Sequence, residues 1–133
     1  MHICYLGIGS NLGDRRTKIK EAIEKINSLK GTKILKASSI IETDAVGGPC
    51  AQSKFLNAVV KAKTSLLPRQ LLKKLKIIEK ELGRKKTVRF GPRLIDIDIL
   101  FYGDKLVKTK KLTIPHKKVF QREFVLKPLL EIL

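Results

Sequence analysis

Tryptophan is absent from this chain, and only two cysteines and two tyrosines occur among its 133 residues. Cys4, in an expected strand, and Cys50, in an expected loop, make neither a disulfide framework nor a metal-ligand pattern. No apolar run approaches the ~18 residues of a membrane span, and the first residues lack a basic stretch leading into an apolar one. A cytoplasmic protein without membrane attachment is therefore expected. Repeats, low-complexity stretches and linkers are missing too, so residues 1–133 read as one domain, long enough to bury a core but not two. Acids are scarce, with 12 Asp and Glu against 29 Lys and Arg, for a formal net charge of +17.

The excess charge is uneven. Residues 61–93 carry twelve basic side chains against two acidic ones, and residues 105–122 carry seven against none. Such a field attracts polyanions, nucleotides and nucleic acids alike. For most of the lysines the plainer reading is a solvated surface.

Periodicity sets out the elements. Residues 2–8 alternate as a strand, with Gly7, Gly9 and Gly13 bracketing a turn. Residues 17–29 place Ile19, Ile23 and Ile26 on one helical stripe. Residues 33–43 are β-branched and form one strand or two short ones; residues 44–54 are a loop, and 55–64 the next strand. Pro68 opens a helix in which Leu71, Leu75, Ile78 and Leu82 repeat at helical spacing, and Gly83 closes it. A basic loop over 83–92, a strand over 95–102, a turn at Gly103 and a short edge at Leu106 and Val107 follow. Residues 112–116, a helical turn near 118–121 and an apolar segment over 124–133 complete the chain. The order implies an α+β, ferredoxin-like sandwich: a mostly antiparallel sheet with two long helices on one face, leaving the other to be covered or used.

Chemistry concentrates where Arg89, Phe90, Gly91, Pro92 and Arg93 lead into Leu94-Ile95-Asp96-Ile97-Asp98-Ile99-Leu100. Residues two apart in a strand share a face, so Asp96 and Asp98 share one and the isoleucines the other. Two carboxylates a few ångströms apart repel, favouring a divalent cation, and a pair of carboxylates plus substrate phosphates is the usual setting for Mg²⁺. Arg89 and Arg93 suit phosphate oxygens. His116, among Lys110, Lys111, Lys117 and Arg122, suggests a phosphate contact, although a lone histidine more often caps or packs. Asn57, two residues after Phe55 in an apolar strand, is a buried amide that needs partners, and aromatic plus amide suit a heterocycle. The Gly7-x-Gly9-x-x-x-Gly13 spacing puts the third glycine one residue too late for a dinucleotide fingerprint, so a tight turn is expected there.

Five segments together resemble the 6-hydroxymethyl-7,8-dihydropterin pyrophosphokinase family: Tyr5 through Gly13, Phe55-Leu56-Asn57-Ala58, Ile78-Glu79 with Leu82-Gly83-Arg84, Arg89 through Leu100, and Leu112-Thr113-Ile114-Pro115-His116. They stand in family order at close to family spacing. The resemblance implies transfer of pyrophosphate from ATP to the pterin hydroxymethyl oxygen, releasing AMP, in folate biosynthesis. It implies that Asp96 and Asp98 bind two Mg²⁺ ions, and that Arg84 and Arg93 join them as catalytic residues. Glu79, Arg93, Ile99, Lys111, Thr113, His116 and Arg122 match the ATP site. Thr43, Val46, Phe55, Asn57 and Phe124 match the pterin site.

The partners implied are these two small molecules, with a monomer expected and nucleic acid not. Departures from the family pattern fall in the basic loop, one residue shorter and carrying Phe90 where tryptophan is common, and at Lys76, where glutamine is frequent. The usual C-terminal extension is also expected to be missing. The competing readings are a basic nucleic-acid-binding module and a pterin or nucleotide binder without turnover.

Overall fold

The structure is a computed structural model that describes residues 1–11, 13–43, 54–83, 95–117 and 123–133. Its elements run β1 (His2–Ser10), α1 (Arg15–Asn27), β2 (Thr32–Ala37), β3 (Ile41–Thr43), β4 (Phe55–Thr64), α2 (Pro68–Glu81), β5 (Asp96–Tyr102), β6 (Val107–Lys108), β7 (Thr113–Ile114) and α3 (Glu123–Ile132). The main sheet is antiparallel in the order β2-β4-β1-β5, and β3 pairs with β4 beside β2; β6 and β7 form a separate hairpin. The α+β sandwich is thus present.

Local chemistry explains the helix limits. At the start of α1 the Asp14 carboxylate accepts from the Thr17 backbone N–H at 3.2 Å, satisfying a donor that the first turn leaves without an intrahelical acceptor. In α2, Pro68 occupies the first turn, and the Gln70 side chain accepts from the Leu67 N–H at 2.8 Å. Gly83, at φ 93°, ends that helix with its N–H on the Lys80 carbonyl.

Residues 33–43 resolve into two strands on one edge of β4, β2 pairing with its second half and β3 with its first. Ser38 bridges the break: its N–H donates to the Val59 carbonyl, and its Oγ accepts from the Val59 N–H, both at 2.9 Å. The ladder therefore continues across a kink.

Alternation divides the sheet into two unlike faces. Leu6 and Ile8 of β1, Ala58, Val60 and Ala62 of β4, and Ile97 and Ile99 of β5 form a core under Ile19, Ala22 and Ile26 of α1 and Leu71, Leu75 and Ile78 of α2. Cys4 is wholly buried there, and desolvation pushes its thiol up to about 12, which keeps it protonated and unreactive.

The second face differs from expectation in being shared. The final apolar segment is helix α3, whose Leu129 and Ile132 pack on Val59 and Leu100, with Tyr5, Phe101 and Val125 around them. Glu131 ties this helix to the sheet, accepting from the Ser39 N–H at 2.8 Å and the Ser39 hydroxyl at 2.7 Å. Among the described residues, the part of the face beyond α3 is the part left for chemistry.

Candidate active site

Three neighbouring strands supply the free part of the second face. Their register sets Gly9 of β1 between Asn57 of β4 and Asp96 of β5, and Gly7 between Val59 and Asp98. Asn57 and Asp96 are thus two strand spacings apart, roughly 10 Å. The expectation that the strand ends at Ile8 and a turn begins among these glycines is corrected here: β1 runs on through Gly9 to Ser10, with Gly7 and Gly9 both inside it, and Gly13, at φ 72°, makes the turn into α1. Period-two alternation through Leu6, Ile8 and Ser10 keeps the strand going, with glycine on the opposite face.

At the β5 side of this strip, Asp96 and Asp98 are half-buried and share a face, as alternation requires. His116 comes to them from the segment after β7: its N–H donates to the Leu100 carbonyl at 3.0 Å, and its Nε2 lies 4.0 Å from Asp98 Oδ2. Among the described residues no group of three or more His, Cys, Asp or Glu gathers as a metal site. Mg²⁺ does not need one, since it keeps waters and takes one or two carboxylates together with substrate phosphates. Asp96 and Asp98 fit that requirement. Lys111 is exposed at the tip of the β6–β7 hairpin, and Thr113 is half-buried on β7.

At the β4 side, Asn57 is 9% exposed and its Nδ2 donates to Thr43 Oγ1 at 3.0 Å. Thr43 is the register partner of Phe55, so β3 and the start of β4 bring Thr43, Phe55 and Asn57 into one cluster. An amide and a half-buried aromatic ring side by side can read the edge and face of a planar heterocycle.

Two of the expected nucleotide residues stand elsewhere. Glu79 is 2% exposed on α2; its Oε2 accepts from the Ile97 N–H at 2.8 Å, and its Oε1 lies 3.2 Å from Lys76 Nζ. Ile97 N–H therefore points away from β1, along the outer edge of the sheet. Ile99, two residues on, shares that orientation, while its side chain is 2% exposed in the core. The Glu79 carboxylate and the Ile99 backbone N–H therefore both lie at the outer edge of β5, not on the face of Asp96 and Asp98. Lys76, noted for standing where glutamine is frequent, is the basic partner of that buried carboxylate.

Val46, Arg84, Arg93 and Arg122 lie outside the described residues, as does the side chain of Phe124. So do Cys50, most of the expected loop over 44–54, most of that over 83–92, and the expected helical turn near 118–121.

One bracing residue went unnoticed in the sequence. Arg15 Nη1 donates to the Lys54 carbonyl and lies 3.5 Å from Glu42 Oε2, so it holds the chain just before 44–53 and just after it. No local signal separates Arg15 from the other basic residues. Only the fold brings the start of α1 to β3 and β4.

Known proteins resemble this chain in sequence. A sequence model described as 7,8-dihydro-6-hydroxymethylpterin-pyrophosphokinase matches residues 5–133. The 2-amino-4-hydroxy-6-hydroxymethyldihydropteridine pyrophosphokinase of Aquifex aeolicus is 51% identical over 132 residues, covering 99% of this chain and 81% of the relative. That of Bacillus subtilis is 44% identical over 131 residues, covering 98% and 78%. The folic acid synthesis protein fol1 of Pneumocystis carinii is 52% identical over 128 residues, and the match takes in 96% of this chain but 17% of that longer protein. With the match running through Asn57, Asp96, Asp98 and His116, the chain belongs to the 7,8-dihydro-6-hydroxymethylpterin-pyrophosphokinase family of enzymes.

Proposed function

We propose that the chain transfers pyrophosphate from ATP to the hydroxymethyl oxygen of 6-hydroxymethyl-7,8-dihydropterin, releasing AMP, in folate biosynthesis. The observation that carries this reading is the strip on the second face, with a heterocycle-reading cluster on one side of Gly9 and a carboxylate pair on the other. That spacing suits an acceptor whose ring is held by Phe55 and Asn57 while its alcohol arm reaches the phosphates above Asp96 and Asp98.

Each residue has a task in that reading. Phe55 stacks on the pterin together with Phe124, and Asn57, oriented by Thr43, hydrogen-bonds its edge with help from the backbone near Val46. Asp96 and Asp98 hold two Mg²⁺ ions, which when bound neutralise phosphate charge and favour in-line attack at the β-phosphorus. His116 and Thr113, with Lys111 at the hairpin tip, contact the triphosphate. Glu79 fixes the outer edge of β5, so that the Ile99 backbone can meet the adenine. Arg84, Arg93 and Arg122 supply guanidinium groups for charge that spreads over phosphate oxygens in the transition state. No side chain serves as a covalent carrier, so the alcohol attacks directly, and positioning with electrostatics supplies the rate.

The test is product analysis. Protein, ATP, Mg²⁺ and 6-hydroxymethyl-7,8-dihydropterin should give AMP and pterin diphosphate in equal amounts. ADP in place of AMP would mean ordinary phosphoryl transfer, and ligand binding without AMP would mean a binder without turnover.

A further inference from the structure

We infer that Gly9 is a positioning residue for acceptor recognition: its bare α-carbon admits the carbonyl end of the Asn57 amide and thereby sets which way the amide faces. The inference rests on the proposed role of Asn57 in holding the pterin. Glycine inside a central strand weakens it, because there is no side chain to pack and more backbone freedom to lose. Backbone conformation does not demand it here, since the glycines at positive φ among the described residues are Gly13, Gly31, Gly83 and Gly103. Close approach does. A Cβ on Gly9 would stand 2.9 Å from Asn57 Oδ1, with Leu56 O and Phe55 Cδ1 both at 3.8 Å.

That oxygen has little room to retreat. Asn57 is 9% exposed, and the other end of its amide is engaged at 3.0 Å by Thr43 Oγ1. Turning the amide away from a methyl group breaks this bond or buries a polar atom without a partner, so the two ends are fixed together. The pinned amide directs Nδ2 toward β3 and Oδ1 over β1, on the side where Asp96 lies. A heterocycle that needs one donor and one acceptor along an edge is then read in a single orientation. Gly7 makes no comparable approach: its nearest neighbours would be Leu100 methyl carbons at 3.4 and 3.5 Å, which are apolar and at ordinary contact distance. Of the two glycines inside β1, Gly9 is the one with the tight contact, and unlike Gly31, which stands at φ 80°, it has no positive φ to explain it.

The experiment is a double-mutant cycle on Gly9→Ala and Asn57→Ala, read by steady-state kinetics with each substrate varied and by urea unfolding. Gly9→Ala should raise KM for the pterin at least about tenfold, the worth of a hydrogen bond or more, and leave KM for ATP within about twofold. With Asn57 already truncated, the added methyl meets no amide, so the double variant should have the pterin KM of Asn57→Ala alone. Should Gly9→Ala not fold, the double variant should regain a cooperative unfolding transition. An unchanged pterin KM in Gly9→Ala, a parallel rise in KM for ATP, additive effects in the double variant, or failure of both variants to fold overturns the inference. If the wild type releases no AMP from ATP and pterin, the proposed function itself falls; AMP from the wild type with an additive cycle removes only the role of Gly9.

Discussion

The two faces of one sheet use the same three strands for opposite purposes. On the helix-covered face β1, β4 and β5 present Leu6, Ile8, Ala58, Val60, Ile97 and Ile99, all at most 2% exposed. On the other, within the same spans, they present Gly9, Asn57, Asp96 and Asp98. Burial on the first face contributes most of the stability, at roughly 25 cal/mol for each Å² of apolar surface removed from water. The second face keeps polar groups in place because the first is stable without them. A strand's period of two lets adjacent residues be chosen under independent pressures, one for packing and one for chemistry.

That division can be broken by substitution on either side. The largest effect expected is on turnover: under the proposed Mg²⁺ role, Asp96→Ala and Asp98→Ala should each lower AMP release at least about 1,000-fold, the scale of the several kcal/mol of transition-state charge stabilisation a metal there would supply. Their urea midpoints should stay near wild type, because both carboxylates are half-buried on the functional face. A stability loss as large as that of a core variant would erase the contrast between the faces.

Leu75→Ala tests the other side. Leu75 is wholly buried on α2, and its truncation should cost about 2–5 kcal/mol in unfolding free energy. KM for both substrates, measured on the fraction that remains folded, should change little. Glu79→Ala sharpens the comparison, because Glu79 sits on α2 yet fixes a backbone group of β5, the strand of Asp96 and Asp98. Removing it leaves the Ile97 N–H without its carboxylate, which should cost about 1–3 kcal/mol and raise KM for ATP more than KM for the pterin.

Two smaller effects probe the rim of the site. Hydrogen bonds from the Ser39 hydroxyl and N–H hold the Glu131 carboxyl below the ordinary carboxylate range. A depressed carboxyl stabilises the fold above its unfolded pKa, and the contribution fades as pH falls through the folded value. The wild type should therefore exceed Glu131→Ala in urea midpoint at pH 7, and the gap should close below about pH 4. Arg15→Ala should produce the slightest change, within about 1 kcal/mol, as expected for a partly exposed ion pair. Its signature should be a modest rise in pterin KM, since Arg15 braces both sides of 44–53.

Charge tells a related story at the far end of the sheet. Lys33 faces Lys63, and Lys36 faces Lys61, across β2 and β4, beyond the half of β4 that holds Asn57. Like charges directly opposed weaken a sheet slightly, so these pairs add positive potential at some cost to stability. The surface reading given to most lysines agrees with the exposure of Lys33 and Lys36.

Legibility followed the range of the interactions. The limits of β4 and α2 could be read from residues 55–64 and from Pro68 to Gly83, because period, cap and breaker all lie within a few residues of one another. The shared face of Asp96 and Asp98 was equally local. Gly7 and Gly9 misled because glycine signals a turn when read alone, whereas here the close approach of Asn57, forty-eight positions later in the chain, explains Gly9. The last apolar segment could not be assigned a face until Val59 and Leu100 were known to lie beneath it.

By itself, then, the sequence determined the limits of β4 and α2, the pairing of two acids on one strand face, and family membership through motifs that need no partner to be recognised. Tertiary structure alone decided that Asn57 and Asp96 flank the same glycine, that Glu79 supports β5 from behind, that α3 packs on part of the second face, and that Arg15 joins the residues just before and just after 44–53. The physical reason is distance along the chain. Alternation and capping act between near neighbours and leave a pattern, whereas strand order and register join residues whose separation in sequence carries no trace of their contact.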